Sequence, residues 1–258
     1  MRLKRQVAKG VAEAVSLVKG ISAHQKGLRI LLYHSVGTEL PHDTYGISIN
    51  SASFDRHMAL LKGMEDIQIN SMEGALGDDK SCSIAVTFDD GYKDNLYVAA
   101  PILSGYGIPF TVFVTGDFIK GNVPFYLTPT ELKALSLIEG VRVGSHGLTH
   151  RRLTQCSDKE LWEELHGSRC YLEDVIGRPV TAISYPHGSV NRRVWETARE
   201  AGYEIGACSR FGVNSADCDN LLLRRTEIVA EDSERILFQK INGAWDWYGW
   251  LQKNPQTE

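Results

Sequence analysis

Apolar and polar positions divide the chain into two kinds of segment. Short apolar runs rich in β-branched residues predict buried strands, and longer stretches with apolar residues three or four apart predict amphipathic helices. The predicted strands are Arg29–Tyr33, Ser83–Phe88, Pro109–Val114, Val141–Gly144, Val180–Tyr185 and Glu204–Cys208. The predicted helices are Ser53–Lys62, Asp94–Leu103, Thr130–Ile138, Asp158–Ile176, Val190–Ala201 and Ser233–Ile241.

The regular alternation of strands and helices predicts an α/β fold with parallel strands and right-handed crossovers. No internal repeat, low-complexity tract or linker divides the 258 residues, and single α/β barrels reach this length. We therefore expect one domain. The residues with candidate chemistry follow the carboxyl ends of predicted strands, which favours a closed or nearly closed barrel over an open sheet.

Two adjacent carboxylates follow one of these strands, in the segment Thr87-Phe88-Asp89-Asp90-Gly91-Tyr92. Side chains alternate between the two faces of a strand, so Asp89 and Asp90 leave in different directions. One of them could bind a cation while its neighbour moves a proton. The alternative is structural, because an Asp-Asp-Gly turn commonly closes a strand.

Two histidines, His146 and His150, follow the predicted strand Val141–Gly144. In a helical turn their spacing of four lets both imidazoles reach one metal ion, although isolated pairs also occur in surface turns and caps. Together with a strand-end aspartate they complete an Asp-His-His set. Three protein ligands leave a coordination position open, which is typical of catalytic metal sites.

These segments resemble the motifs of a known family, the NodB-homology polysaccharide deacetylases, also called family-four carbohydrate esterases. Its first motif, Thr-Phe-Asp-Asp-Gly, stands unaltered at Thr87 to Gly91. Its second, His-Ser/Thr-x-x-His, stands at His146 to His150 with Gly147 in the Ser/Thr position. Ser184 to Gly188 corresponds to a third motif that ends in Pro-Tyr-Gly. The resemblance runs from about Leu28 to about Tyr248 and implies a distorted (β/α)7 barrel.

Two further departures from the family pattern concern groups with a catalytic role. The third motif usually carries an arginine that orients the catalytic aspartate, but Ser184 stands there. Arg225 could supply that guanidinium, unless it is an outward residue of a late strand. The usual C-terminal histidine, the general acid of the family, is also missing. His34 lies in a segment that resembles the Tyr-His-x-Val of a circularly permuted branch acting on poly-N-acetylglucosamine, where it could serve as the acid; a buried structural histidine is the alternative.

The resemblance implies three groups of site residues. The metal ligands hold one divalent cation, for which we expect Zn²⁺, with Co²⁺, Ni²⁺ or Fe²⁺ as alternatives; they are Asp90, His146 and His150. The catalytic residues are Asp89 as general base and His34 as general acid, with His187 as the competing acid. The residues assigned to the substrate or its oxyanion are His187, Tyr185 and Arg225.

The predicted activity is hydrolysis of an N-acetyl group on an amino-sugar glycan or glycan precursor. One alternative is a metal-dependent amidohydrolase that acts on a non-carbohydrate amide. Another is a non-catalytic glycan-binding module, which the retained carboxylates and histidines disfavour because a binder has no use for a free base beside a metal. The tail segment from Trp245 to Trp250 could stack on sugar rings or bury its indoles on the barrel.

Charge is distributed unevenly along the chain, whose net charge is -4. Residues 1–29 hold seven Lys/Arg and one acid, which leaves 21 basic and 31 acidic residues in the remainder and excludes a nucleic-acid substrate. Segment 1–27 combines six of these basic residues with apolar ones at helical spacing, so we predict an amphipathic N-terminal helix before a deacetylase domain of residues 28–258. The helix could lie on an anionic membrane surface or pack over the barrel.

The five cysteines are an odd number without a Cys-x-x-Cys pair, which favours a reducing compartment over a disulfide framework. The N-terminal segment lacks the uninterrupted apolar core of a secretory signal, because Lys9 falls inside it. It is also too broken for a transmembrane span. We therefore expect this protein in the cytoplasm or at the inner face of the membrane.

Overall fold

The computed structural model of the protein describes residues 2–19, 25–41 and 43–252. Its strands are β1 (Gly27–Tyr33), β2 (Ser35–Val36), β3 (Ser48–Ile49), β4 (Ile67–Ile69), β5 (Cys82–Phe88), β6 (Phe110–Val114), β7 (Val141–Ser145), β8 (Ala182–Ser184), β9 (Ile205–Ala207) and β10 (Arg225–Glu227). Seven of them form a parallel ring in the order β10-β1-β5-β6-β7-β8-β9, with β4 paired to β5. A bridge between Ala207 and Leu223 nearly closes the ring. The predicted distorted (β/α)7 barrel is confirmed.

Helices connect the strands on the outside of the barrel. They are α1 (Arg2–Lys19), α2 (Ser51–Lys62), α3 (Met72–Ala75), α4 (Ala100–Tyr106), α5 (Gly116–Lys120), α6 (Pro129–Ser136), α7 (Asp158–Trp162), α8 (Ser168–Ile176), α9 (Arg192–Glu200) and α10 (Glu234–Ile241). One-turn π-helices precede α4 (Asn95–Ala99) and join α7 to α8 (Glu163–Gly167). The short elements β2, β3, β4, β10, α3 and α5 are absent from the sequence prediction, because two to five residues are too few to show a period.

The barrel has two apolar layers. The larger lies between the strands and the surrounding helices and includes Phe54, Phe88 and Leu165. The smaller fills the barrel interior with Leu28, Ala85, Phe113 and Ala182, among others. Gly144 makes room for the Phe113 ring, since a Cβ there would lie 2.5 Å from it. α3 precedes β5 and adds Met72 and Ala75 to the interior cluster, so it fills the amino-terminal end of the barrel.

The N-terminal helix α1 packs on the protein itself. Its Ala8 and Ala12 are buried in a cluster with Phe211, Ala244 and Trp245. Glu13 of α1 also forms a salt bridge with Arg235, with 2.7 Å between Oε2 and Nη2. These contacts correspond to the second alternative for this helix, and nothing in the described residues supports contact with a membrane. Residue 1 and residues 20–24 of the predicted N-terminal segment lie outside the described residues.

The C-terminal tail forms a 3₁₀ helix over Asp246–Leu251. Trp245 is buried and Trp247 packs on the same cluster as α1, whereas Trp250 is 85% exposed. The first two indoles are therefore part of the packing of the protein. Among the described residues, no helix is both long enough and apolar enough to cross a bilayer.

Candidate active site

The predicted site residues follow strands whose carboxyl ends meet at one rim of the barrel. The adjacent aspartates follow β5, and the first histidine of the pair follows β7. His34 follows β1, and the register that pairs Tyr33 with Phe88 sets it level with Asp89. The Asp89 backbone N–H donates to the Tyr33 carbonyl at 3.0 Å, which ties the two strand ends together.

Asp90, His146 and His150 form a cluster whose potential ligand atoms all lie within 4.8 Å of one another. Asp90 Oδ1 is 3.2 Å from His150 Nε2 and 3.4 Å from His146 Nε2. Asp90 and His146 are buried, and His150 is partly exposed. One carboxylate and two imidazoles at this spacing are a donor set that a single divalent cation can bridge.

The protonation of His146 supports this interpretation. Its Nδ1 lies 2.8 Å from the Ser184 carbonyl, which can only accept, so Nδ1 carries the hydrogen. Burial lowers the pKa of His146 to about 4, and the ring is therefore neutral at pH 7 with a lone pair on Nε2. This lone pair faces the buried Asp90 Oδ1 at 3.4 Å, and two lone pairs cannot form a hydrogen bond with each other. A cation between the two atoms would remove their repulsion, so the residues fit a divalent metal ion.

The other two members of the cluster have pKa values shifted by mutual attraction. Burial raises the pKa of Asp90, but the imidazoles of His150, His34 and His146 outweigh this effect and lower it. Burial lowers the pKa of His150, but the Asp90 carboxylate outweighs it and raises the value. A cation would have to displace the proton of His150, so its binding should weaken at low pH.

Asp89 is held by a separate hydrogen-bond network inside the barrel, and its Oδ2 lies 3.8 Å from His146 Nε2 of the cluster. Arg225 holds it with two hydrogen bonds of 2.7 Å, one to each carboxylate oxygen. Ser184 Oγ donates to Asp89 Oδ2 at 2.9 Å and accepts from Arg225 at 2.7 Å. Burial raises the pKa of Asp89, but the Arg225 guanidinium outweighs burial and lowers it. Asp89 is thus held as an anion, fixed in orientation, beside the Asp90 cluster.

Arg225 reaches Asp89 from β10, which is separated from the third-motif strand β8 only by β9 at the nearly closed seam of the barrel. β10 pairs with β1, which sets Arg225 beside Ile30 with its fully buried side chain pointing into the barrel. The arginine expected at Ser184 is replaced by two residues acting together. The Ser184 hydroxyl and the Arg225 guanidinium, which lie far apart in the sequence, both bind the Asp89 carboxylate.

The two candidate acids differ in their surroundings. His34 is half-buried, and its Nδ1 has no hydrogen-bond partner among the described residues. His187 is exposed, its ring lies 4.6 Å from that of His150, and its Nε2 is 3.2 Å from the His150 carbonyl. Burial and the neighbouring His150 imidazole lower the pKa of His187. Both histidines lie at the rim that carries the metal-ligand cluster.

Tyr185 is not brought into the site. Its side chain is fully buried and its hydroxyl donates to the Leu221 carbonyl at 2.9 Å. The reason is the alternation of faces along β8: Ser184 points into the barrel towards Asp89, so Tyr185 points outward. The assignment of the Tyr185 side chain to the substrate is therefore wrong.

Comparison with known proteins decides the family. Residues 77–206, half of the chain, match the family profile described as polysaccharide deacetylase. The chain belongs to the polysaccharide deacetylase family. The matched range contains Asp89, the Asp90 cluster and the third motif, whereas His34 and Arg225 lie outside it.

Relatives and solved structures agree with this family. YxkH of Bacillus subtilis, named for the same family, is 28% identical over 206 residues, covering 78% of this chain and 71% of the relative. A peptidoglycan-N-acetylglucosamine deacetylase of Bacillus cereus is 32% identical over 123 residues, 47% of this chain and 54% of the relative. The structure of the Streptococcus pyogenes deacetylase PplD, in complex with acetate, superposes with a TM-score of 0.75 at 27% identity, covering 83% of this chain and 98% of that one.

The backbone of this deacetylase is strained at the candidate site. Asp90, His150 and His187 all have left-handed φ values of 73°, 61° and 58°. Such a conformation costs about 1–3 kcal/mol for a residue with a side chain, so it persists where surrounding contacts enforce it. Three of the five non-glycine residues with positive φ among the described residues are therefore site residues.

Glu164 is a site-supporting residue that the sequence prediction missed. It is buried, and its Oε2 accepts the backbone N–H groups of Leu148 and Thr149 at 2.9 and 3.0 Å. The Thr149 hydroxyl also donates to its other oxygen. Glu164 thus holds the turn between His146 and His150. The available signal was an acidic residue on the apolar face of a predicted helix, next to Leu165.

Proposed function

We propose that this protein is a metal-dependent hydrolase that removes N-acetyl groups from an amino-sugar glycan or glycan precursor. The observation that carries the proposal is the pairing of two separate networks at one rim. The Asp90 cluster has the donors for a divalent cation, and Asp89 beside it is bound by Arg225 and Ser184 instead. A site that only bound glycan would have no need of a second, independently oriented carboxylate.

Asp90, His146 and His150 would hold the cation, for which Zn²⁺ is our expectation and Co²⁺, Ni²⁺ or Fe²⁺ would also fit two imidazoles and a carboxylate. When bound, a divalent cation polarises the acetyl carbonyl and acidifies a water molecule. The Ser184 carbonyl fixes the tautomer of His146 with the hydrogen on Nδ1, so the lone pair of Nε2 stays available for a metal ion.

Asp89 would act as general base by accepting the proton of the attacking water on a carboxylate oxygen. Its hydrogen bonds from Arg225 and Ser184 leave lone pairs free, since a carboxylate can accept about four hydrogen bonds. The two partners also fix the plane of the carboxylate. A base with a lowered pKa suffices here because the water is acidified.

His34 would act as general acid by giving a proton to the leaving amine nitrogen. Support comes from strand order: β1 lies between β10 and β5, so an early strand borders the motif-one strand where the family usually has a late one. This order favours membership of the permuted branch. The backbone N–H of His187 would donate to the acetyl oxygen as negative charge develops on it, and the His187 ring is the competing acid.

The test is release of acetate from N-acetylated oligosaccharides by the purified protein, followed by mass spectrometry of the glycan. We expect loss of one acetyl mass per reacted sugar. Asp89→Asn should keep its metal and lose turnover by several orders of magnitude, because only the base is removed. Asp90→Asn should lose metal as well, because it removes an anionic ligand.

Three other results would contradict parts of the proposal. Hydrolysis of small acetamides without activity on any glycan would favour the non-carbohydrate amidohydrolase. Glycan binding without acetate release would indicate a binding module. Exchanged phenotypes of Asp89→Asn and Asp90→Asn would reverse the roles of the two carboxylates.

A further inference from the structure

Two buried polar residues follow the catalytic motif within one turn of the chain. Asp94 is 4% exposed and Asn95 is fully buried, at the start of the π-helix that leads into α4. Neither contacts the Asp90 cluster in the recorded hydrogen bonds. Their partners lie instead on the turn between β1 and β2, which carries His34.

Asn95 binds the backbone of His34, and Asp94 binds the side chain of the next residue, Ser35. Asn95 Nδ2 donates to the His34 carbonyl at 2.8 Å and to Asp94 Oδ1 at 3.2 Å. The Ser35 hydroxyl donates to Asp94 Oδ2 at 2.6 Å. The residue on each side of the His34–Ser35 peptide is therefore bound to the same buried pair.

The His34 side chain receives no comparable support. Its Nδ1 is buried and has no hydrogen-bond partner among the described residues. The hydrogen bond recorded for this residue is the one at its carbonyl oxygen. The position of the His34 imidazole should therefore depend on the contacts that hold the His34 backbone.

We propose that the Asp94–Asn95 pair is a positioning device that sets His34 relative to the two catalytic aspartates. One continuous segment, residues 89–95, carries the base, the metal ligand and this pair, so any shift of the carboxylates moves the grip on His34 with them. The proposal rests on the proposed function, in which His34 is the general acid. A misplacement of about 1 Å costs on the order of 10²-fold in rate, so a backbone grip can matter as much as the acid itself.

The experiment removes the Asn95 donor and compares two substrates. Asn95→Leu should lower hydrolysis of an N-acetylglucosamine pentamer about 10–100-fold, while 4-nitrophenyl acetate hydrolysis falls much less because its phenoxide leaves without an acid. In a His34→Ala background the same substitution should change amide hydrolysis by less than about twofold, since coupled residues are not additive. Metal content should equal that of wild type.

Asn214→Leu is the matched control. Asn214 is also a buried asparagine, and its side chain binds the Leu28 carbonyl near the other end of β1 and the Arg224 backbone, so it holds strand ends by the same kind of contact without touching the turn at His34. It should lower stability without changing the ratio of amide to ester hydrolysis. Ser35→Ala, which removes one small hydroxyl from the same grip, should shift that ratio in the same direction as Asn95→Leu and guards against a variant that does not fold.

A second readout does not depend on activity. In ¹H–¹³C spectra of protein labelled at histidine, the His34 ring signal, assigned with His34→Ala, should shift or broaden in Asn95→Leu and stay in place in Asn214→Leu. An unchanged ring signal, or equal losses on both substrates, would overturn the positioning role. If His34→Ala hydrolyses the amide as well as wild type does, the acid role of His34 fails instead, and the ring signal still decides whether Asn95 places it.

Discussion

Neighbouring residues of the same type acquire different properties at this site. Asp89 points into the barrel, where Arg225 donates a hydrogen bond to each of its oxygens and Ser184 donates one to Oδ2. Asp90 turns through a left-handed φ of 73° to face two imidazoles instead. The two side chains are chemically identical, and the left-handed backbone conformation of Asp90 sets their different directions. A single dipeptide thereby supplies one carboxylate for proton transfer and another for cation binding in the proposed mechanism.

The Asp89–Arg225 pair can be tested against a second pair of the same geometry. The buried Arg29 binds the partly exposed Asp246 through two hydrogen bonds of 2.8 and 2.9 Å, and among the described residues it forms no hydrogen bond with Asp89 or the Asp90 cluster. Arg225→Lys keeps the charge and loses the planar fork, so Asp89 should rotate more freely and kcat should fall on the order of 10²-fold at unchanged metal content.

Arg29→Lys should also destabilise the protein, because Arg29 is buried and the lysine loses one of its two hydrogen bonds to Asp246. The cost should stay below the roughly 3–5 kcal/mol of a fully buried pair that loses a partner outright. Its kcat per folded molecule should stay close to that of wild type. Urea unfolding and steady-state kinetics on both variants give the comparison. Equal changes of kcat in the two variants would mean that Arg225 acts only through stability.

At the scale of elements, the hydrophobic pattern predicted the longer strands and helices and therefore the barrel. Placement of the chemistry at strand ends followed from it, because carboxyl ends of parallel strands meet at one rim. The alternation of side chains along β8 also explains why the Tyr185 side chain points away from the site. Applying this alternation to the sequence would have excluded Tyr185 from the predicted site residues.

Other features could not be predicted from local sequence. The motif comparison offered Arg225 as one of two alternatives, but local sequence could not decide between them. Arg225 reaches Asp89 because β10, three residues long, pairs with β1 nearly 200 positions earlier, and such a short strand shows no period. Left-handed turns at Asp90, His150 and His187 are enforced by tertiary contacts, since these residues do not favour that conformation as glycine does. The β1–β10 pairing and the contacts that enforce these turns both join residues far apart in the sequence.

Helix α2 provides a prediction about pH. His57 is fully buried on it, with Nδ1 3.2 Å from the Tyr33 hydroxyl and Nε2 3.0 Å from the Asp232 carbonyl. Burial lowers the pKa of His57 in the folded protein below its ordinary value. The unfolded chain therefore takes up a proton first as the pH falls through about 6.5, and stability should decrease from there towards the folded pKa.

Replacing His57 by glutamine should flatten this dependence. We expect the urea midpoint of wild type to fall more steeply between pH 7 and pH 5 than that of His57→Gln, whose side chain does not titrate. His166→Gln, a change at a histidine on the outer surface of the helical segment Glu163–Gly167, is a suitable comparison. Parallel curves for wild type and His57→Gln would show that His57 contributes nothing to acid sensitivity.

The whole molecule links the proposed metal site to global stability. Asp90, His146 and His150 come from two different strand ends, so a bound cation would join β5 to β7 in the folded state and would find no such site in the unfolded chain. Binding of this kind stabilises by mass action, by about 2.7 kcal/mol at a free ligand concentration 100 times Kd.

After removal of metal by a chelator, added Zn²⁺ should therefore raise the melting temperature, by roughly 5–11 °C for a chain of this size at that concentration. His146→Ala should melt at nearly the same temperature with and without Zn²⁺. Differential scanning calorimetry measures both. A similar rise in the variant would place the ion elsewhere on the protein.

The filled interior of the barrel has a consequence for how a polymer could be handled. Phe113 occupies the space above Gly144, and Met72 and Ala75 of α3 fill the amino-terminal end, so the barrel is a cup with a floor. In the proposed reaction, a long glycan could not thread through such a barrel and would have to lie across its open end. Acetate would then leave by the side from which the sugar arrived, past the polymer. Turnover per sugar should consequently become independent of chain length once the polymer spans the rim, and interior units should react without a free chain end.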